Sequence, residues 1–307
     1  MQVVSRAIES VLSQSFEDFE LIVVDDGSLD GTGALLARQV DPRVRVITEL
    51  RNRGACAARN RGIQAAEGEI VCFLDSDDVY LPEKLEFVAD LFDAQPELDL
   101  LVDSFVCRKT IGAKNRVKTK RNAPNLSGPE FRTALFERRI TKATTALSVR
   151  RRAFDDIGLF DEALRRRQDL DMVLRLSRQN VCRTTDRVLW EKNDSVDAIS
   201  RDHCLFLQAS IDICDRHPEY LERHSEPLYR DLRSHFGWLA KQGHWRTFAR
   251  DVRRYADYAK FEISILRLLL GGRVARAPQV DSIQRSLADS GNPPRTAEMS
   301  CAPASVE

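Results

Sequence analysis

Little in this sequence would staple or anchor it. Seven cysteines stand in 307 residues, an odd number, with no C-x-x-C and no His–Cys cluster at zinc-ligand spacing. That excludes a disulfide framework and a zinc-stapled fold, and it fits a reducing compartment. Charge of one sign is not in excess: Lys+Arg and Asp+Glu stand at 47 each, so no global field favours nucleic acid as a partner. Apolar runs such as 21–24 and 268–270 fall far short of the roughly 20 residues a membrane-spanning helix needs. Met1-Gln2-Val3-Val4 has neither the basic start nor the apolar core of a secretion signal. No internal repeat is present. What remains is the composition of a cytoplasmic globular protein, 43% hydrophobic and 31% charged. The length allows one large α/β domain with an appendage, or two domains.

The pattern along the chain alternates helix and strand. Residues 5–12 read as a helix with Val4, Ile8, Val11 and Leu12 on one face. Leu21-Ile22-Val23-Val24 is a continuous apolar run, expected of a strand buried on both faces of a parallel sheet. Further strands are expected at 44–48, 70–74, 98–106 and 144–149, with helices at 33–40, 55–66, 82–94 and 131–136 and one running from 168 to 179. Gly68 is expected to close the helix 55–66. Ser127-Gly128-Pro129-Glu130 reads as a capping box, and 114–121 as a solvated basic hairpin or loop. Strand, helix, strand, helix with short links implies right-handed crossovers and a mostly parallel sheet. From about residue 200 strand-like runs disappear. Segments 205–215, 227–241 and 245–270 read as helical. The mixture of apolar and basic residues at 261–276 fits either a core helix or peripheral contact with an anionic membrane face. From 278 onward the composition is that of a disordered tail.

Chemistry concentrates where strands end in acids. Phe73-Leu74-Asp75-Ser76-Asp77-Asp78 runs an apolar strand into three carboxylates, and Pro82 is expected to open the next helix. Acids at the carboxyl edge of an open α/β sheet lie where such sheets bind ligands. Clustered carboxylates repel and favour a hard cation such as Mg²⁺ or Mn²⁺. The competing reading is a polar loop whose acids favour the positive end of the following helix. A second acidic strand end is Asp25-Asp26-Gly27-Ser28-Leu29-Asp30-Gly31. It is not a calcium loop, because Ala37 occupies the position that needs a glutamate and a strand precedes it. Asp169 opens the helix at 168, where an acid is ordinary dipole chemistry. Asp171 is expected to point elsewhere on that helix.

Taken in order, these residues resemble family 2 glycosyltransferases of the GT-A fold. The segments carrying the resemblance begin with Ala7-Ile8-Glu9-Ser10-Val11-Leu12-Ser13-Gln14-Ser15-Phe16 and Phe19-Glu20-Leu21-Ile22-Val23-Val24-Asp25-Asp26-Gly27-Ser28. Asn52-Arg53-Gly54, Ala58-Arg59-Asn60, Phe73-Leu74-Asp75-Ser76-Asp77-Asp78, Gly158-Leu159-Phe160-Asp161-Glu162 and Gln168-Asp169 follow in the family's order. Several motifs in sequence are far more specific than any one alone. The resemblance spans about residues 4–190. It implies a GT-A domain over 1–199, followed by a helical region at 200–277 and the tail at 278–307. Such domains begin with an apolar strand, whereas this chain starts almost directly in the first helix, so a domain lacking that strand is expected.

The resemblance implies an inverting transfer of a sugar from a nucleotide-diphosphate donor, a UDP-sugar, to a hydroxyl on a glycan or lipid-linked acceptor in cell-surface polysaccharide or glycolipid synthesis. Asp26 would receive the nucleobase, with Asp25 beside it and Arg59 near the nucleotide. Asp77 would bind Mn²⁺ or Mg²⁺, and Asp75 would support the metal or the ribose. Asp169 would be the catalytic base. Gln168 stands where many relatives carry Glu, which removes a neighbouring negative charge. Two other readings stay open. A nucleotidyltransferase shares the strand-and-acid architecture but wants a Gly-rich phosphate loop, which is absent. A non-catalytic nucleotide-sugar-binding or scaffold protein would follow from loss of the first strand.

Overall fold

The apolar stripe at the start of the chain folds as α1 (Gln2–Leu12), which buries Ala7, Ile8 and Val11. The computed structural model describes residues 2–111, 114–193, 204–223 and 225–254. Next come β1 (Leu21–Asp25), α2 (Thr32–Leu36), β2 (Val44–Thr48), α3 (Ala55–Ala65) and β3 (Ile70–Cys72). The acidic stretch leads not into a helix but into a two-residue strand, β4 (Val79–Tyr80). The helix α4 (Lys84–Ala94) starts two residues beyond Pro82, with Glu83 at its N-cap. A long hairpin follows, β5 (Leu98–Ile111) and β6 (Lys114–Lys120), where the basic segment reads as hairpin. Then come α5 (Gly128–Phe136), a 3-10 turn at Thr144–Ala146, β7 (Leu147–Arg150), α6 (Ala153–Ile157), α7 (Gln168–Gln179) and β8 (Val181–Asn193). The helices α8 (Cys204–Arg216), α9 (Pro218–Arg223), α10 (Ser225–Lys241) and α11 (Trp245–Arg254) complete the described chain.

The strands form two sheets. In one, β1 and β2 pair in parallel, Leu21 opposite Val44 and Asp25 opposite Thr48. The other runs β3-β7-β5-β8-β4, with β6 on β5. Only β5–β8 is parallel within it, so the architecture is α/β as expected while the sheet is mixed where a mostly parallel one was expected. The run 21–24 is only half-buried rather than covered on both faces, and among the described residues β1 pairs with β2 alone. Three local signals read differently in three dimensions. Ala66, in extended conformation, ends α3, and Gly68 instead donates its N–H to Glu20 Oε1 at 3.0 Å. Ser127 occupies the N-cap of α5, but its side chain makes no capping bond. Residues 37–40 fall outside the short α2.

The core centres on β5. Leu98, Leu100, Leu101 and Val102 are fully buried, each worth about 1.5–3 kcal/mol of burial. Val88 and Phe92 of α4 pack against Leu98 and Leu101, and Phe105 stacks on Trp190 of β8 at 4.3 Å between ring centroids. Leu170, Met172, Val173, Leu174 and Leu176 put the apolar face of α7 inside. The chain divides into two compact units, 1–238 and 239–307. The first holds both sheets together with α8, α9 and most of α10. In the second, α11 is described, with Trp245 and Phe248 in ring contact at 6.0 Å. The segment 261–276, read as either a core helix or a membrane contact, and the tail from 278 lie outside the described residues. Among the described residues no helix is long and apolar enough to cross a membrane.

Candidate active site

The acidic stretch is a loop closed at its base. Tyr80 of β4 is buried, and its hydroxyl donates to the Phe73 carbonyl at 2.6 Å, so the two ends of the loop are clasped. Within the loop, Asp78 N–H bonds to Asp75 O at 2.9 Å. Thr145, fully buried in the 3-10 turn before β7, accepts the Asp75 N–H at 3.2 Å and donates to Asp78 Oδ2 at 2.8 Å. From the far side Asn193, at the end of β8, donates its side-chain amide to Asp77 O at 2.9 Å and its backbone N–H to Asp78 Oδ1 at 3.3 Å. Behind Thr145 lies a buried ion pair. Lys84 Nζ donates to Asp103 Oδ2 at 2.7 Å and to Thr145 O at 2.9 Å, while Trp190 Nε1 donates to Asp103 Oδ1 at 2.8 Å.

The three loop acids therefore differ. Asp78 is fully buried, and burial pushes its carboxyl up to about 7 against the pull of Lys192. Asp75 is half-buried and ion-paired with Arg59 Nη2 at 2.7 Å. Asp77 is half-buried, and its carboxylate has no hydrogen bond or ion pair among the described residues. Burial works against the charge of Lys192, yet Asp78, Asp75 and Asp77 outweigh it and hold the ammonium above its ordinary pKa. The guanidinium of Arg59 lies over the Phe160 ring at 5.7 Å, and its Nη1 is buried without a hydrogen-bond partner. That orphan donor beside Asp75 is a group an anionic ligand would satisfy. Among the described residues no three His, Cys, Asp or Glu side chains are placed to hold a metal by themselves.

Asp25 closes β1, and Asp26 after it reaches the start of α3. Asp26 accepts the N–H of Arg53 at 2.8 Å and of Gly54 at 2.7 Å, placing its charge at the positive start of α3. Asp25 is buried and accepts Ser28 N–H at 3.0 Å. Gly27 between their turn and the next has φ +72°, and a Cβ there would meet the Arg51–Asn52 backbone at 2.8 Å, so only glycine fits. A cleft beside Asp26 is lined by Arg53, Asn60 and Glu162. Asn60 anchors the turn at 158–162 through both Phe160 N and Phe160 O. Thus α3 carries the Asp26 site at its start and the Asp75 partner, Arg59, at its middle.

Asp169 is half-buried in the first turn of α7 and does not cap it: the N-cap is Arg167, in a left-handed conformation at φ 63°, with no side-chain cap bond. Its charge acts on Lys142, whose ammonium burial drives below its ordinary pKa while Asp169 pulls it back up. Asp171 does point elsewhere, but into the core. It is fully buried, accepting Arg175 Nη2 at 2.8 Å and His217 Nε2 at 2.8 Å. Arg178 Nη2 lies 2.8 Å from His217 Nδ1, which fixes that nitrogen as acceptor and Nε2 as the protonated one. The residues sequence reasoning passed over are Thr145, Lys84, Tyr80, Lys192 and Asn193.

Comparison with known proteins accords with this geometry. The succinoglycan biosynthesis protein ExoO of Rhizobium meliloti is 51% identical over 89 residues, covering 29% of this chain and 26% of its own. The Escherichia coli UDP-Glc:alpha-D-GlcNAc-diphosphoundecaprenol beta-1,3-glucosyltransferase WfgD is 40% identical over 83 residues, covering 27% of this chain and 33% of its own. These matches thus span only a quarter to a third of the relatives. The crystal structure of S. aureus TarS 1–349 with UDP-GlcNAc superposes with TM-score 0.56 at 19% identity, covering 76% of this chain and 69% of that one, and so shares the GT-A fold. The family described as Glycosyl transferase family 2 matches residues 2–158, just over half of the chain. The chain belongs to that family.

Proposed function

We propose that this protein transfers a sugar from a UDP-sugar to a hydroxyl of a glycan or lipid-linked acceptor, with inversion, in the building of a cell-surface polysaccharide. One observation carries the reading: an acidic loop held by Thr145 and Asn193, in which the Asp77 carboxylate has no hydrogen bond or ion pair among the described residues and Asp75 is paired to Arg59, whose Nη1 is a buried orphan donor. A diphosphate would meet Arg59 there. Mg²⁺ and Mn²⁺ are commonly held by one or two carboxylates with phosphate oxygens and water completing the shell, and Asp77 with Asp75 fits that donor set. A cation so held would stabilise charge growing on the departing nucleotide. Asp169, with no cap to form, is the candidate to take the acceptor's proton as its oxygen attacks. The UDP-sugar ligand of TarS and the named activity of WfgD support the donor class.

Calorimetric titration of UDP into the folded chain, with Mn²⁺ and then with EDTA, tests the donor site. UDP should bind far more tightly with Mn²⁺, and Asp77→Ala should abolish the difference. Equal affinity in both buffers would refute the metal-dependent donor site. A scaffold that binds a nucleotide sugar without turning it over would pass this titration and fail the transfer assay described at the end of the Discussion.

A further inference from the structure

The geometry points to Thr145 as a positioning residue for the donor site: its hydroxyl bridges the Asp75 N–H and the Asp78 carboxylate and so aims the Asp77 carboxylate, with Asn193 fixing the opposite side of the loop. This inference rests on the donor-site reading above and says what holds that site in shape. A two-residue strand follows the loop, β3 ends at Cys72, and the last ladder bond is Phe73 N–H to Leu147 O at 3.4 Å, so regular pairing alone leaves residues 74–78 unsupported. The support comes instead from side chains. Thr145 Oγ1 is at 3.2 Å from Asp75 N and 2.8 Å from Asp78 Oδ2, and Asn193 Nδ2 is 2.9 Å from Asp77 O. Thr145 itself has little freedom, because Lys84 Nζ holds its carbonyl at 2.9 Å and is held in turn by Asp103. Asp78 is thereby a rivet of the loop rather than a ligand: both its oxygens are spent on Thr145 and Asn193. Asp77, its own carbonyl held by Asn193 and its neighbour Asp78 held by Thr145, keeps in one place a carboxylate that has no hydrogen bond or ion pair among the described residues. Preorganised ligands bind without the cost of ordering them.

Hydrogen exchange of the 73–80 peptide, read by mass spectrometry without ligand, tests positioning directly, and UDP titration with Mn²⁺ tests its consequence. In Thr145→Val the loop should exchange about tenfold faster while the α4 and β5 peptides stay as in the wild type. UDP–Mn²⁺ affinity should fall about tenfold with it, and Thr145→Ser, which keeps the hydroxyl, should restore both. Exchange in Thr145→Val equal to wild type would overturn the proposal. Should Thr145→Val fail to fold, Asn193→Ala removes one surface-side bond, and the same loop should still exchange about threefold faster; unchanged exchange there overturns it equally. A faster-exchanging Thr145→Val loop in a protein whose wild type binds UDP no better with Mn²⁺ than with EDTA would uphold the positioning role and refute the donor-site reading alone.

Discussion

Lys84 shows how a single residue escapes sequence reasoning. It falls between Glu83 and Leu85 at the start of a helix, where charge is ordinary, and the visible apolar face of that helix is Leu85, Val88 and Phe92. Only the fold reveals that Lys84 has 0% exposure and pairs with Asp103, eighteen residues beyond the start of α4's apolar face and on a different element. Lys84→Met should cost about 3–5 kcal/mol, because it leaves a buried carboxylate without its cation. The pH dependence has a definite sign. Burial already lifts Asp103 to about 6, above its unfolded value. An acid whose folded pKa is raised loses stability as pH climbs from the unfolded to the folded pKa. Without Lys84 that rise is larger, so the deficit of Lys84→Met should be greater at pH 7 than at pH 4.5. Urea unfolding at both pH values measures it, and a deficit that is the same or smaller at pH 7 would contradict the assignment. The loop acids, by contrast, were legible as a group, because three carboxylates after an apolar run are visible in any reading. Their division of labour was not, since it depends on Thr145 and Asn193, 67 and 115 residues away from Asp78.

Among the elements, α1, α3, α4, α5, α7, α8 and α10 and the strands β1, β2, β3 and β5 were readable from the apolar pattern, whereas the short helices α6 and α9 were not. β8 was not. Its 13 residues include Arg183, Asp186, Arg187, Glu191 and Lys192, and its pairing with β5 shifts register near Leu98, Val102 and Ser104, so no clean alternation survives. Buried Thr184 further blurs the pattern by taking part in side-chain bonds to Ala123 O and Leu126 N. With β8 went Lys192 and Asn193. The anchoring of α7 was also hidden. Asp171 looks like one more acid in a first turn, yet it holds α7 to α9's approach through His217 and to the turn at 157–159 through Arg175, whose guanidinium donates to Ile157 O at 2.7 Å and Leu159 O at 2.9 Å. Asp171→Asn should therefore lower stability by about 2–3 kcal/mol at pH 7, since hydrogen bonds to charged groups are worth about 1.5–3 kcal/mol each. Thermal unfolding checks this, and an unchanged melting temperature would show the network to be dispensable. The β1–β2 ladder makes a second test at this scale. Leu21 N–H bonds to Arg43 O at 2.7 Å, and alternation turns the Ile22 and Val24 amides away from β2. Those two should exchange with solvent faster than Leu21 and Val23; equal protection by NMR would mean that the outer edge of β1 is covered.

At the scale of the molecule, the family match and the candidate chemistry do not end together. Asp25, Asp26, Arg59, Asp75 and Asp77 all fall within residues 2–158, whereas Asp169 lies beyond, on α7. The proposed donor side thus draws on family membership as well as on geometry, and the proposed base draws on the placement of α7 alone. That placement comes from long-range packing: five apolar residues between 170 and 176 bury α7, Asp171 locks it, and Asp169 is left half-buried with a carboxylate that caps nothing. The measurement that bears most directly on the function is transfer by Asp169→Asn, with a donor and acceptor found by screening UDP-sugars against glycan and lipid-linked acceptors. The substitution preserves shape and removes proton acceptance, and general base catalysis is worth roughly a hundred- to ten-thousand-fold in rate. Asp169→Asn should melt within about 1 kcal/mol of wild type, bind UDP with Mn²⁺ as tightly, and lose transfer by at least about a hundredfold. A folded, UDP-binding Asp169→Asn protein that transfers sugar at near-wild-type rate would contradict the assignment of Asp169 as the base.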